Sequence, residues 1–267
     1  MAATPDWMAA AAAMEATIPS TTPVAQALLS RLPALASGAR VVDLACGTGH
    51  PTLMVARTRP EADVVGVDVT TALVELAAEK ALREKAGNVS FRIMNVESLD
   101  FPDASVDAVV SQFGVLQHGD PERSAAELAR VMRPAGPFSI ATWDVVERNT
   151  LISVVSRVLA AFAPSEILPD FSESDALATP GFREKLLRDA GVSLVETELL
   201  DYTITLPHDG ALLGVLAQPA TFGRAFASLD PVRQNELLER LRDVAARYRQ
   251  GEAYAFPVSC RLFWGSR

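Results

Sequence analysis

The chain has 267 residues, 49% of them hydrophobic, and carries 24 Lys plus Arg against 33 Asp plus Glu for a formal net charge of −9. That length supplies a sizeable buried core, and the acidic balance argues against a nucleic-acid backbone as partner, which would attract clustered Lys and Arg. Two cysteines, Cys46 and Cys260, have no neighbours at metal-ligand spacing, so neither a metal site nor a disulfide framework is expected, and a reducing, cytoplasmic setting fits.

Residues 1–39 read as a helical N-terminal cap. Their alanine run, Ala9 to Ala13, lacks the positive leader of a secretory signal. No stretch of about 20 apolar residues follows, so no membrane-spanning helix is expected. From Arg40 short apolar runs alternate with helical patterns. Arg40 to Leu44 reads as a strand and His50 to Thr58 as a helix, with Pro51 suited to the first turn. Asp63 to Val67 is a second strand, Thr71 to about Lys85 a helix, and Val89 to Met94 a third strand. Val106 to Ser111 is a fourth strand, Asp120-Pro121 opens a helix, and Phe138 to Trp143 is a fifth strand.

Near-continuous apolar strands separated by helices predict a mostly parallel sheet. Beyond it come a helix over Thr150 to Phe162, a loop over Pro164 to Pro180, a short helix over Gly181 to Ala190 and a strand over Ser193 to Leu206. A helical block follows from His208 to Gln250, and Tyr254 to Trp264 closes the chain as a strand. The expected organisation is therefore a cap over 1–39, a ligand-binding core over 40–205, a helical insertion over 206–252 and a closing strand over 253–267.

The stretch Val41-Val42-Asp43-Leu44-Ala45-Cys46-Gly47-Thr48-Gly49-His50 is a strand running into a glycine-rich turn and then a helix. Such a turn lets a ligand approach the backbone, and the helix start offers free N–H groups. The dinucleotide fingerprint Gly-x-Gly-x-x-Gly fails, because its third place is Thr52. No Lys-Ser or Lys-Thr follows, so a phosphate loop fails too. Asp43 would repel a pyrophosphate but suits a cation. Asp68, closing the second strand, can accept hydrogen bonds from both hydroxyls of an unphosphorylated ribose. A ribose without phosphates and with a cationic tail describes S-adenosylmethionine.

At this point the chain resembles the class I S-adenosylmethionine-dependent methyltransferases. Val41 to Gly49 resembles their first motif and Gly66-Val67-Asp68 their acidic second motif. Asn95-Val96-Glu97-Ser98-Leu99-Asp100-Phe101 resembles the adenine-binding loop, Ser105 to Ser111 the fourth strand, and Leu128 to Gly136 the helix and turn before the fifth. The likeness covers about residues 20 to 145 and is strongest to the ubiquinone/menaquinone-biosynthesis type of small-molecule enzyme. It implies an α/β, Rossmann-like fold: a seven-stranded, mostly parallel sheet with helices on both faces, the last strand antiparallel and a helical insertion between strands six and seven. Three positions depart from the family pattern: Asn95 stands for Asp, Ala45 for Gly and Asp100 for Pro.

The resemblance implies S-adenosylmethionine as cofactor, S-adenosylhomocysteine as product and no metal. Cofactor contacts are expected from Asp43, Ala45, Gly47, Thr48 and Gly49, from Asp68 and Val69, from Asn95, Val96 and Glu97, and from Ser111 and Gln112. The acceptor side is expected past the fourth and fifth strands, at Phe113, Gln117 and Trp143, with His118 as the candidate base. Phe222 and Phe226 of the insertion are expected to border an apolar or aromatic acceptor. A general base would contribute roughly 10²–10⁴-fold, and only where the acceptor loses a proton. The expected activity is methylation of a small organic molecule, in a secondary-metabolic setting, by a protein with no nucleic-acid or membrane partner. The rival reading is the same fold using the cofactor for a non-methylating reaction such as a cyclisation. The oligomeric state stays open, a homo-oligomer included.

Overall fold

A computed structural model describes residues 7–117, 119–217 and 221–267. The chain divides into two compact units: a larger one of Thr22–Trp143, Ala176–Leu200 and Cys260–Arg267, and a smaller one of the residues up to Thr21, Asp144–Asp175 and Asp201–Ser259. Helix α1 (Trp7–Ser30) opens the described chain. The larger unit then runs β1 (Arg40–Leu44), α2 (His50–Thr58), β2 (Asp63–Asp68), α3 (Thr71–Glu84), β3 (Val89–Ile93), β4 (Ala108–Gln112), α4 (Pro121–Val131) and β5 (Pro137–Trp143). After α5 (Thr150–Leu159) and α6 (Ser172–Leu177) come α7 (Phe182–Asp189) and β6 (Leu194–Leu206). Then follow α8 (Asp209–Leu216), α9 (Gly223–Ala227), α10 (Pro231–Ala245), β7 (Arg249–Gln250) and β8 (Ala253–Ser266).

The strands form one sheet in the order β3-β2-β1-β4-β5-β8-β6, with β7 paired on β8 outside that path. The first five pair in parallel, and β8 runs antiparallel to β5, as the sequence leads one to expect. The two-residue β7 adds an eighth strand, too short to leave a periodic pattern. Strand four begins two residues later than expected. Val106 makes only an isolated bridge to Met132, because Asp107 turns its carboxylate to the Arg40 N–H at 2.7 Å and to the Arg133 guanidinium.

Alternation along the central strands feeds two cores. Val42, Leu44, Val65, Val67 and Val109 join Leu128, Met132, Phe138 and Ile140 on one face. Val41, Val64, Ala108 and Val110 join Leu32, Val55 and Ala56 on the other. Burial on both faces is why these strands read as unbroken apolar runs. Chain order reverses between β1 and β4, which sit side by side with β2 and β3 beyond one and β5 beyond the other. A crevice at the carboxyl ends of β1 and β4 follows from that reversal.

In the smaller unit α10 packs against α5 and α8. Asp230 caps α10, its carboxylate accepting from the N–H groups of Val232 and Arg233 at 2.9 and 3.0 Å. Leu212, Phe222, Leu237, Leu241 and Phe256 are fully buried there. Among the described residues no helix is long and apolar enough to cross a membrane.

The loop leading into β4 hangs on one side chain. Arg130 of α4 donates to the carbonyls of Phe101 and Leu99 at 2.8 and 2.9 Å and pairs with Asp103 and Glu127. The Arg130 guanidinium, and after it the Leu99 N–H, hold the Glu127 carboxyl below the usual carboxylate range. Arg130→Met is expected to cost roughly 2 kcal/mol, the scale for charged hydrogen bonds on a partly exposed group, read as a lower urea midpoint. An unchanged midpoint would refute this account of the loop.

Candidate active site

β1 ends in a turn that no run of ordinary residues could make. Ala45, Gly47 and Gly49 all have left-handed φ, at 56°, 54° and 81°. Glycine adopts this freely, whereas Ala45 carries a cost of roughly 1 kcal/mol. A family glycine at that place is thus explained, and so is the tolerance of alanine. Gly49 caps α2, and a Cβ there would lie 2.9 Å from the Ala77 Cβ and 3.1 Å from the Phe91 ring.

Two acids flank this turn, Asp43 in β1 and Asp68 at the end of β2. Asp43 has no exposed surface; one carboxylate oxygen accepts from the Thr52 hydroxyl at 2.6 Å, and the other is buried without a partner. Burial pushes its carboxyl up to about 7, the Asp68 charge adds to this, and the Thr52 hydrogen bond opposes it. Thr52, which breaks the dinucleotide fingerprint, is therefore the partner that Asp43 requires. Asp68 accepts from the Gly47 N–H and the Thr70 N–H, both at 2.9 Å. It thereby pins the turn from the neighbouring strand. Thr48 is buried, and its carbonyl accepts from Lys80 of α3 at 3.0 Å. The Cys46 thiol is buried and pushed up, first by burial and then by the two acids, so it stays a neutral, unreactive group.

The remaining expected cofactor residues lie around the same strand ends. Val69 is 66% exposed just past β2. Asn95 accepts from the Glu97 N–H at 2.9 Å, and Glu97 accepts from the Asp120 N–H at 2.9 Å, so this loop is tied to the start of α4. Val96 packs its half-buried side chain on the core. Ser111 is fully buried; its hydroxyl donates to the Leu44 carbonyl at 2.7 Å and accepts from the Val115 N–H at 3.2 Å. It joins β1 to the loop after β4. Gln112 ends β4, opposite Ala141 of β5. His50, at the start of α2, meets the Thr22 hydroxyl at 3.2 Å.

The expected acceptor residues of this unit converge. Phe113 and Trp143 stack with ring centroids 3.9 Å apart and planes 5° from parallel. The Gln117 amide donates to the Phe113 carbonyl at 2.9 Å and accepts from the Trp143 N–H at 2.8 Å. A Cβ on Gly114 would lie 2.3 Å from the Ala45 Cβ, so this loop lies directly against the glycine turn. His118 lies outside the described residues. In the smaller unit Phe222 has no exposed surface and meets the Phe171 ring edge-on at 6.3 Å. Phe226 is half-buried.

One residue of the larger unit's site went unremarked in the sequence. Arg183 of α7 is 1% exposed and donates to the Leu116 and Trp143 carbonyls at 3.0 and 3.1 Å. A signal for it exists: Arg183, Leu186 and Leu187 share one helical face, so a charge stands on an apolar stripe.

Residues 41–136 match a family described as a methyltransferase domain. The ubiquinone/menaquinone biosynthesis C-methyltransferase UbiE of Geobacter sulfurreducens is 30% identical over 183 residues, 60% of this chain and 72% of that one. The chain belongs to the class I S-adenosylmethionine-dependent methyltransferases, in the ubiquinone/menaquinone-type branch. It is an enzyme that transfers methyl groups. Two solved structures share the methyltransferase's fold. The YcgJ protein of Bacillus subtilis matches at TM-score 0.60 and 18% identity, over 93% of this chain and 98% of that one. The [4+2]-cyclase SpnF matches at TM-score 0.53 and 20% identity, over 91% and 80%.

The site fits this cofactor. A buried carboxylate with an unpartnered oxygen favours a cation, and two acids at one turn oppose a phosphate chain. Among the described residues no cluster of three or more His, Cys, Asp or Glu could hold a metal.

The raised Asp43 carboxyl sets a pH dependence. The folded chain holds this proton more tightly than the unfolded one. Asp43 therefore favours folding at acid pH, and that contribution is lost as pH rises through about 7. A bound cation favours the ionised form, so S-adenosylmethionine affinity should rise, by up to about tenfold per pH unit, as pH approaches 7 and then level off. Calorimetry in buffers of different ionisation enthalpy should show proton release below neutrality. A flat affinity profile across that range, with no proton released, would contradict the assignment.

Proposed function

We propose that this methyltransferase acts on a small, apolar or aromatic organic acceptor, in a biosynthetic setting of secondary metabolism. The observation that carries this reading is the Phe113–Trp143 stack, held beside the glycine turn by the loop after β4. A flat aromatic surface at that place suits a planar or apolar partner. The acidic composition favours such an acceptor over a nucleic acid.

When bound, S-adenosylmethionine supplies an electrophilic methyl group on a sulfonium. The chain's own residues hold and orient. Asp43 offers negative charge to the cationic end, and the backbone of Ala45, Gly47, Thr48 and Gly49 permits close approach. Asp68 takes the ribose hydroxyls while keeping its hold on Gly47. Val69, Asn95, Val96 and Glu97 border the adenine, and Gln112 faces the methionine end. Phe113, Gln117 and Trp143 present the acceptor. Exclusion of water and orientation carry most of the acceleration, because the sulfonium is already a good leaving group. His118 serves as base where the acceptor must lose a proton.

The likeness to SpnF favours one alternative, a reaction on the same fold without methyl transfer. Incubation with methyl-labelled S-adenosylmethionine and a panel of phenols, hydroquinones and apolar alcohols separates the two. Labelled product heavier by one CH₂ unit is expected. Rearranged product without label, or none, would favour the alternative. Asp68→Ala should weaken S-adenosylhomocysteine binding by roughly 2–4 kcal/mol, since it removes charged hydrogen bonds to the ribose and frees the Gly47 N–H. Unchanged binding by calorimetry would remove Asp68 from the cofactor site.

A further inference from the structure

The loop after β4 holds two bulky residues in left-handed backbone, Phe113 at φ 62° and Leu116 at φ 64°. Such conformations persist only where the surroundings over-determine them, and they gather at functional sites. Here the surroundings are specific. The Phe113 N–H donates to the Ala141 carbonyl at 2.8 Å, and Gln117 bridges the Phe113 carbonyl and the Trp143 N–H. Arg183 completes the frame. Its Nε reaches the Leu116 carbonyl and its guanidinium Nη1 the Trp143 carbonyl, at 3.0 and 3.1 Å.

We propose that Arg183 is a positioning residue for methyl transfer: it clamps the strained 113–117 turn to the end of β5 and so fixes the Phe113–Trp143 stack. Placing a guanidinium in the interior is costly unless its donors find acceptors. The two carbonyls it binds belong to the two segments that carry the stacked rings. Simple α7 packing needs no charge, and Leu186 and Leu187 already supply the apolar face. The planar fork of arginine can bridge two carbonyls at fixed geometry, which a lysine ammonium on a flexible stem does less well. Gln117 closes the frame from the other side, so Trp143 has both its N–H and its carbonyl held by side chains. The proposal rests on the reading of the Phe113–Trp143 surface as the acceptor side.

The test uses the full chain with Trp7 and Trp264 replaced by phenylalanine, which leaves Trp143 as the one tryptophan. Arg183→Met is expected to raise acrylamide quenching of Trp143 about threefold through local opening, with S-adenosylhomocysteine affinity held within about twofold. Arg183→Lys should lie between the two. Gln117→Met, which cuts the opposite side of the frame, should loosen Trp143 in the same way, and it carries the test if Arg183→Met does not fold. Unchanged Trp143 quenching in folded Arg183→Met and Gln117→Met overturns the proposal. A fall in S-adenosylhomocysteine affinity in step with the quenching also overturns it, because Arg183 would then support the whole unit. Failure of the acceptor reading has its own mark: Phe113→Ala that retains full methylation of the labelled panel, whatever Trp143 does in the Arg183 variants.

Discussion

A carboxylate in the strand next door holds the glycine turn in shape, and the site is built outward from that hydrogen bond. Asp68 on β2 accepts from the Gly47 N–H, so the turn leaving β1 is fixed by a group outside its own segment. Asp43 lies beneath, buried and with one oxygen unpartnered. Burial of an acid is electrostatically unfavourable by itself, the Asp68 charge nearby adds to it, and the raised Asp43 carboxyl records both. The arrangement becomes favourable when a cation arrives. It is unfavourable for any ligand led by phosphate. Charge thus separates this turn from the dinucleotide turns that share its strand, loop and helix.

The turn does not stand alone. Ser111 ties the Leu44 carbonyl to the loop after β4, and Gly114 leaves room for Ala45 and nothing larger. The glycine turn and the loop after β4 therefore share a wall and cannot shift independently. That coupling comes from the sheet order, which sets β1 beside β4 although β2 and β3 lie between them in sequence.

What the sequence made legible was local. Asp43, Gly47, Gly49 and Asp68 lie at strand ends, where a residue's neighbours in sequence largely decide its surroundings. The parallel strands were readable because burial on both faces leaves unbroken apolar runs. Thr52 was visible only as a broken fingerprint, and its bond to Asp43 shows why that place takes a hydroxyl. Contacts across long separations were not readable: Arg183 meets carbonyls 67 and 40 residues away. Its helical stripe held a clue, yet nothing local says what a buried charge will bind. Phe222 shows the converse limit, because an apolar residue in a helical block reads alike whether it packs a core or borders a ligand.

These ranges suggest how one fold accommodates different reactions. The cofactor end uses residues at or near consecutive strand ends, and its geometry follows from the sheet. The loop after β4 is instead held by the end of β5 and by a helix far along the chain. Side chains there can differ without replacing any residue of the glycine turn, and in general one fold hosts many functions in this way. The two segments differ in strained backbone as well: Ala45 accepts left-handed geometry with only a methyl group, whereas Phe113 and Leu116 do so with large side chains and need hydrogen bonds from elsewhere to hold them. Both segments thus depend on a group from elsewhere in the unit: Asp68 of the neighbouring strand for the glycine turn, and Arg183 of α7 for the loop after β4.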